Sequence, residues 1–166
     1  FYDADNLGDK IVVRMAEDGE KLTTLDSQER TLTKDDIVIT DGQKAVGLAG
    51  VMGGLNTEVE ETTKNVIIES AIFDSVKVRK TSNKILRSEA SNRFEKGLDP
   101  ARIYMAIERA CHLLEKYAGA KVCKGMLKYD VTDNTDHTVA EAFLHLCLML
   151  MNLFLFHLSC PPIQVR

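Results

Sequence analysis

Short β-branched runs separated by turn signals fill the first part of the chain. Ile11-Val12-Val13-Arg14-Met15 is followed by Asp18-Gly19. The same rhythm returns at 21–25, at Ile37–Thr40 before Asp41-Gly42, at 45–49 and at 65–71, where Val66, Ile67 and Ile68 are contiguous. Runs of this length bounded by turn residues read as strands joined by local hairpins. A helical period enters later. Asp99 supplies a cap and Pro100 a first helical residue, and Ile103, Ile107, Ala110, Cys111, Leu114 and Ala118 recur at three- and four-residue steps up to Gly119. This pattern predicts one long helix over residues 100–118. A shorter helix is predicted from Asp74 over 76–84, because an aspartate there accepts hydrogen bonds from the first unpaired N–H groups. Residues 121–129 read as a returning strand. Residues 87–97 read as an ordered loop, too irregular for a helix interior and too polar for a core strand. Together these elements predict an α+β domain, a mixed β-sheet with packed helices and no internal repeat.

Composition limits what such a domain can do. The 166 residues are 45% hydrophobic and 28% charged, with no Trp and three Pro, which fits a soluble globular domain and excludes collagen-like, low-complexity or disordered chains. The formal net charge is -4, so attraction to nucleic acid has to come from a local basic patch. Cys111, Cys123, Cys147 and Cys160 lie far apart without a C-x-x-C pair, the usage of a reduced cytoplasmic protein and not of a disulfide scaffold.

Charge also marks a boundary. Of 46 charged residues, 21 basic and 25 acidic, 44 lie in 1–137, and the last 29 residues hold only Glu141 and Arg166. Residues 142–158 are 17 positions in which only His145, Asn152 and His157 are polar. That run falls short of the ~20 apolar residues a bilayer requires and lacks flanking Lys or Arg anchors, so no membrane role is expected. Its apolar residues fill every helical face instead of one stripe. The expected organisation is one domain at 1–137 and an apolar tail at 138–166 foreign to it, disordered or brought in by an appended segment or an altered reading frame. Phe1 opens without a basic region or an apolar run, so no secretory signal is expected.

Three segments could carry chemistry. Gly47-Leu48-Ala49-Gly50-Val51-Met52-Gly53-Gly54 places four glycines in eight residues at a strand end. Bare backbone there either serves the turn or lets an anion or a planar group approach; no Lys-Ser/Thr follows, so it is no phosphate loop. In Val66-Ile67-Ile68-Glu69-Ser70-Ala71 a carboxylate ends an apolar strand. Glu69 either faces water or forms the polar floor of a pocket, since an unpaired buried carboxylate is costly. Residues 77–97 hold Lys77, Arg79, Lys80, Lys84, Arg87, Arg93 and Lys96 against Glu89 and Glu95. They form a solvated helix face or, on this acidic chain, the one surface suited to phosphates.

Gly50-Val51-Met52-Gly53-Gly54, then residues 65–71, then Ser88-Glu89-Ala90-Ser91-Asn92-Arg93-Phe94-Glu95-Lys96-Gly97-Leu98-Asp99-Pro100 come in an order and spacing that resemble the editing module of the bacterial phenylalanyl-tRNA synthetase beta subunit. Leu22-Thr23-Thr24-Leu25-Asp26 and Arg79-Lys80-Thr81-Ser82 extend the likeness, which covers residues 1–137. The resemblance implies part of a phenylalanine–tRNA ligase acting in protein biosynthesis in the cytoplasm. It also implies two partners, tRNA(Phe) and the alpha subunit of an alpha2-beta2 tetramer. ATP and magnesium are implied for the whole synthetase, and no cofactor for this part.

The implied activity is hydrolysis of tyrosine misattached to tRNA(Phe). By the resemblance, Glu69 matches the residue that receives the tyrosine phenol, with Gly50 and Gly53 as the close backbone wall beside it. Ala90 matches a small residue that keeps the pocket open, and Ser88 a position usually held by Thr. Ser88 has no His or Lys within its motif, so water is expected to attack the ester, positioned by backbone groups and the tRNA's own terminal hydroxyl, while Ser88 orients or hydrogen-bonds and does not attack. His and Cys lack ligand spacing, so no metal site is expected. The alternative is a tRNA-docking or scaffold domain without hydrolysis, in which the basic segment matters more than Glu69. Two departures stand out. Members carry a histidine just before the stretch that opens here at Phe1-Tyr2-Asp3, and Lys84-Ile85-Leu86-Arg87 is one residue shorter than their basic-Leu-Gly-Leu pattern, which bears on the placement of Ser88 relative to Glu69.

Overall fold

A computed structural model describes residues 1–131. It divides into a unit at Phe1–Lys124 and a second beginning at Gly125. In chain order the elements are β1 Tyr2–Asp3, β2 Val12–Met15, β3 Lys21–Thr23, β4 Glu29–Thr31, β5 Ile37–Thr40, β6 Ala45–Leu48, β7 Met52–Gly53, a 3-10 turn at Leu55–Thr57, β8 Val66–Ile67, α1 Ser75–Lys84, α2 Glu89–Phe94 and α3 Arg102–Ala118. The class is α+β, and the described strand pairs are all antiparallel: β2-β5-β6-β7 form one sheet, β3-β4 a hairpin, and β1-β8 a two-stranded pair.

The inner strand β5 explains where the core lies. Its run of apolar and β-branched residues is covered on both faces, and successive side chains alternate between them. Val38 joins Ala16, Leu22, Leu32, Leu48, Val51 and Val78 in one cluster. Ile39 joins Tyr2, Leu7, Val46 and Ala49 in another. Phe73 packs against both.

Helix α1 begins as the sequence predicts. The Asp74 carboxylate accepts from the Lys77 N–H at 2.9 Å. Its inner face carries Val78, Thr81 and Ser82, all buried. Thr81 donates its hydroxyl to Asp36 at 2.7 Å, and the Lys84 ammonium reaches the other Asp36 oxygen at 3.0 Å. The Thr33 N–H also donates to Asp36, at 2.8 Å. A buried carboxylate at the mouth of β5 thus fastens α1 to the sheet.

Two expectations are corrected. Residues 87–97 are not a loop throughout, because Glu89–Phe94 forms helix α2. Ser88 caps it and Ser91 completes the capping box, its hydroxyl accepting from the Ser88 N–H at 2.9 Å while Ser88 Oγ accepts from the Ser91 N–H at 3.0 Å. Residues 121–129 form no strand; Val122, Met126, Leu127 and Tyr129 are exposed and no partner strand meets them among the described residues. The long helix ends as expected at Gly119 in the left-handed conformation but begins at Arg102 after Ala101, two residues beyond the predicted Pro100, the Asp99 carboxylate accepting from the Ala101 N–H at 3.0 Å ahead of it. Its predicted stripe is half-buried at Ile103, Ile107, Ala110, Cys111 and Leu114, and no α3 side chain is fully buried. The expected foreign tail at 138–166 lies outside the described residues. Among the described residues no helix is long and apolar enough to cross a membrane.

Candidate functional site

Glu69 follows β8 closely, and the pairing of Tyr2 with Ile67 carries it back to β1. There the Tyr2 hydroxyl donates to Glu69 Oε2. No other hydrogen bond within the described residues reaches this half-buried glutamate, so Oε1 has no partner among them. The Tyr2 ring is 4% exposed and belongs to the Ile39 cluster. Burial first, then the Glu69 charge and hydrogen bond, push the Tyr2 phenol far above the usual tyrosine range, which makes it a proton donor at any physiological pH.

Bare backbone adjoins this pair. A methyl group built on Gly47 would lie 3.6 Å from the Tyr2 hydroxyl oxygen. Gly47 stands opposite Gly53 in the β6-β7 ladder, so both open onto the same face. Leu25 covers Gly53, its Cδ1 lying 3.3 Å from where a methyl on Gly53 would be. Glu69, Tyr2, Gly47 and Gly53 are thus linked in series through the Tyr2 hydroxyl, with Ile39 and Leu25 side chains flanking the two glycines. Sequence reasoning missed Tyr2 and gave Gly47 no separate role. No local signal marks the tyrosine, because its meaning depends on a strand pair far apart in the chain.

The glycine turn and Ser88 form the second half of the site. Gly50 has φ +69°, and a methyl on it would lie 3.0 Å from Val78 Cγ2 and 3.1 Å from Phe94 Cγ. Its backbone is thus pressed against α1 and α2, while Gly53 stands on the Tyr2 face. Ser88 donates its hydroxyl to the Val51 carbonyl at 2.6 Å and accepts from Ser91, which uses its one proton and a lone pair. The hydroxyl ties α2 to the glycine turn. Ala90 sits in the first turn of α2 and is exposed. The two halves meet through Phe73, whose ring centroid lies 5.6 Å from that of Phe94.

The basic residues separate into two groups. Arg87, Glu89, Asn92, Arg93, Glu95 and Lys96 line an open cavity of about 620 Å³ on the outer side of α2. Arg87 pairs with Glu95 at 3.3 Å and Arg93 with Glu89 at 2.9 Å, while Lys84 is held by Asp36. The two arginine pairs lie at the surface and are worth about 0–1 kcal/mol each, so they position those cations without locking them. Lys77, Arg79 and Lys80 are exposed and make no ion pair among the described residues; the Lys77 ammonium lies 3.6 Å from Met15 Sδ. Among the described residues no three His, Cys, Asp or Glu side chains gather as a metal cage.

Comparison with known proteins places this architecture. The B3/4 domain family matches residues 1–119. Over 141 residues the chain is 51% identical to the phenylalanine–tRNA ligase beta subunit of Bacillus cereus, a stretch that is 84% of this chain and 18% of that protein. Over 126 residues it is 55% identical to the phenylalanine–tRNA ligase beta subunit of Staphylococcus aureus, covering 75% of this chain and 16% of that one. The chain thus spans less than a fifth of the length of these relatives, and the likeness read from its motifs is confirmed. Since the matched stretch contains every element from β1 to α3 and every residue of the site, the chain belongs to the B3/4 domain family.

Proposed function

We propose that this chain is the proofreading part of a phenylalanine–tRNA ligase beta subunit and hydrolyses the ester of tyrosine misattached to tRNA(Phe). A pocket built for phenylalanine rejects an analogue bearing an extra hydroxyl by only about a hundredfold, whereas a site that hydrogen-bonds the hydroxyl discriminates by about 10⁴–10⁵. The observation that carries the reading is the Glu69 carboxylate. It accepts the phenol of Tyr2, whose hydroxyl lies against bare Gly47, and its other oxygen accepts no hydrogen bond among the described residues.

In this reading water attacks the ester carbonyl carbon, the bond to the ribose oxygen breaks, and a proton passes to that oxygen, releasing tyrosine and tRNA. Glu69 selects the substrate through its hydroxyl. The Val51 and Gly54 N–H groups are bonded to the Leu48 and Val46 carbonyls, so the Gly50 N–H is the donor left in the turn to meet the developing oxyanion, and the terminal hydroxyl of the tRNA orients the water. Ser88 acts by holding the turn against α2, since its own proton is given to Val51. The Ala90 methyl leaves the approach to α2 open, so Ala90→Trp blocks entry of the aminoacyl group. Lys77, Arg79 and Lys80, with Arg87 and Arg93, receive tRNA phosphates. ATP and magnesium serve the aminoacylation reaction of the complete cytoplasmic enzyme, whose alpha subunit is the expected partner, and no hydrolytic step here uses them.

The test is deacylation of tyrosyl-tRNA(Phe) by the full chain and by a complete synthetase carrying the same substitution. Glu69→Ala should slow tyrosine removal at least tenfold while tRNA binding persists. The cavity beside Arg87 and Arg93 favours a second reading, docking of tRNA without hydrolysis. Binding by both proteins with no deacylation by either would select it.

A further inference from the structure

We infer that Tyr2 is a positioning residue for phenol recognition: by donating to Oε2 it turns the Glu69 carboxylate so that Oε1 receives the hydroxyl of a para-hydroxyphenyl ligand. The inference rests on the proposed role of Glu69 and adds the device that makes the glutamate selective. A glutamate has several rotatable bonds, and a half-buried one held by nothing spreads its acceptor oxygens over many directions. One fixed donor removes that freedom before the ligand arrives, so the ligand's hydrogen bond does not have to meet the ordering cost.

Three observations make Tyr2 such a donor. Its ring is 4% exposed among Leu7, Ile39, Val46 and Ala49, so it cannot swing aside. Its backbone is held in the β1-β8 pair opposite Ile67, in the segment that leads directly to Glu69. Its hydroxyl lies against the buried backbone of Gly47, where a methyl group would come within 3.6 Å of it, and it reaches Glu69 from there. A ring this firmly packed acts as part of the wall and not as a displaceable stand-in for substrate. The two roles give opposite signs on removing the hydroxyl.

The experiment measures binding of tyrosinamide and phenylalaninamide to the full chain by calorimetry or NMR titration. The wild type should prefer tyrosinamide. Tyr2→Phe, which removes one oxygen and keeps the ring, should weaken tyrosinamide about fivefold to tenfold and leave phenylalaninamide within about twofold. Equal weakening of both ligands would show a merely structural role, and tighter tyrosinamide binding would show a competing plug; either overturns the inference. In both cases the editing reading survives if the wild type prefers tyrosinamide and Glu69→Gln loses the preference. No preference in the wild type overturns both. Should Tyr2→Phe fail to fold, the ¹³Cζ resonance of Tyr2 in the wild type decides. It should shift with tyrosinamide and not with phenylalaninamide, and an unmoved resonance overturns the inference.

Discussion

The Ser88 hydroxyl and the Val51 carbonyl, 37 residues apart, are joined by a 2.6 Å hydrogen bond that fastens the start of α2 to the glycine turn. The same oxygen caps the helix, so one atom serves both halves of the site. Ser88→Ala removes both bonds and should cost about 1–3 kcal/mol in urea unfolding. Ser88→Thr keeps a hydroxyl at the cap and should stay within about 0.5 kcal/mol of wild type. A serine acting as nucleophile would give the reverse profile, with hydrolysis abolished by alanine and stability untouched.

Gly50 and Gly97 offer a matched comparison of strain with and without crowding. Both have positive φ, but a methyl on Gly97 meets nothing within 4 Å, whereas one on Gly50 presses on Val78 and Phe94. Gly97→Ala should cost about 1–2 kcal/mol from backbone conformation alone. Gly50→Ala should cost about 1–3 kcal/mol more, because α1 and α2 must shift to admit it. Thermal unfolding of the two variants checks the difference.

Asp36 makes part of the stability pH-dependent. Burial alone would raise its pKa, but the Thr81 hydroxyl, the Thr33 N–H and the Lys84 ammonium together hold it below the usual carboxylate range. A carboxylate lowered on folding stabilises the protein above its unfolded pKa of about 3.9, and that stability is lost as pH falls through the folded value. Asp36→Asn should therefore lose on the order of 2 kcal/mol near neutral pH, with the gap to wild type closing in acid. Unfolding midpoints followed from neutral pH down into strong acid test this.

Tyr2 works in the opposite direction. Burial and then Glu69 raise its phenol pKa on folding, so its contribution is fully present below about pH 10 and is lost as pH climbs above that value. The phenolate absorbance of Tyr2, isolated by difference from Tyr2→Phe, should appear only with alkaline unfolding. In Glu69→Gln the loss of the charge should bring it to lower pH. Appearance of that signal in the folded wild type near the ordinary tyrosine pKa of about 10 would contradict the assignment.

Elements carried by local chemistry were legible in the sequence. Ile37–Thr40 has β-branched residues and a following Asp41-Gly42, where the Asp41 carboxylate accepts from Gln43 and Lys44 as such turns require. Helix α3 announces itself through apolar spacing and Gly119. Helix α2 escaped because it has six residues and closes its capping box with Ser91, where the usual signature has Glu or Gln. The strand expected at 121–129 rested on residue type alone, and a strand also needs a partner. The charge excess at 77–97 was real as a count. Its partners Glu89 and Glu95 lie within the segment, while Asp36, which takes Lys84, comes from far upstream and could not be foreseen. Glu69 was singled out, yet its donor was not, since two strands of two residues each leave almost no pattern to read.

The β1-β8 pair also sets when the Tyr2–Glu69 corner can form. Tyr2 and Glu69 are 67 residues apart, and their strands close around nearly the whole sheet. Contacts that span so much chain are assembled after local hairpins such as β5-β6, because the loop entropy must first be reduced by nearer structure. The Tyr2–Glu69 contact is consequently a latecomer during folding: a nascent chain can close its inner hairpins while the carboxylate still lacks its donor.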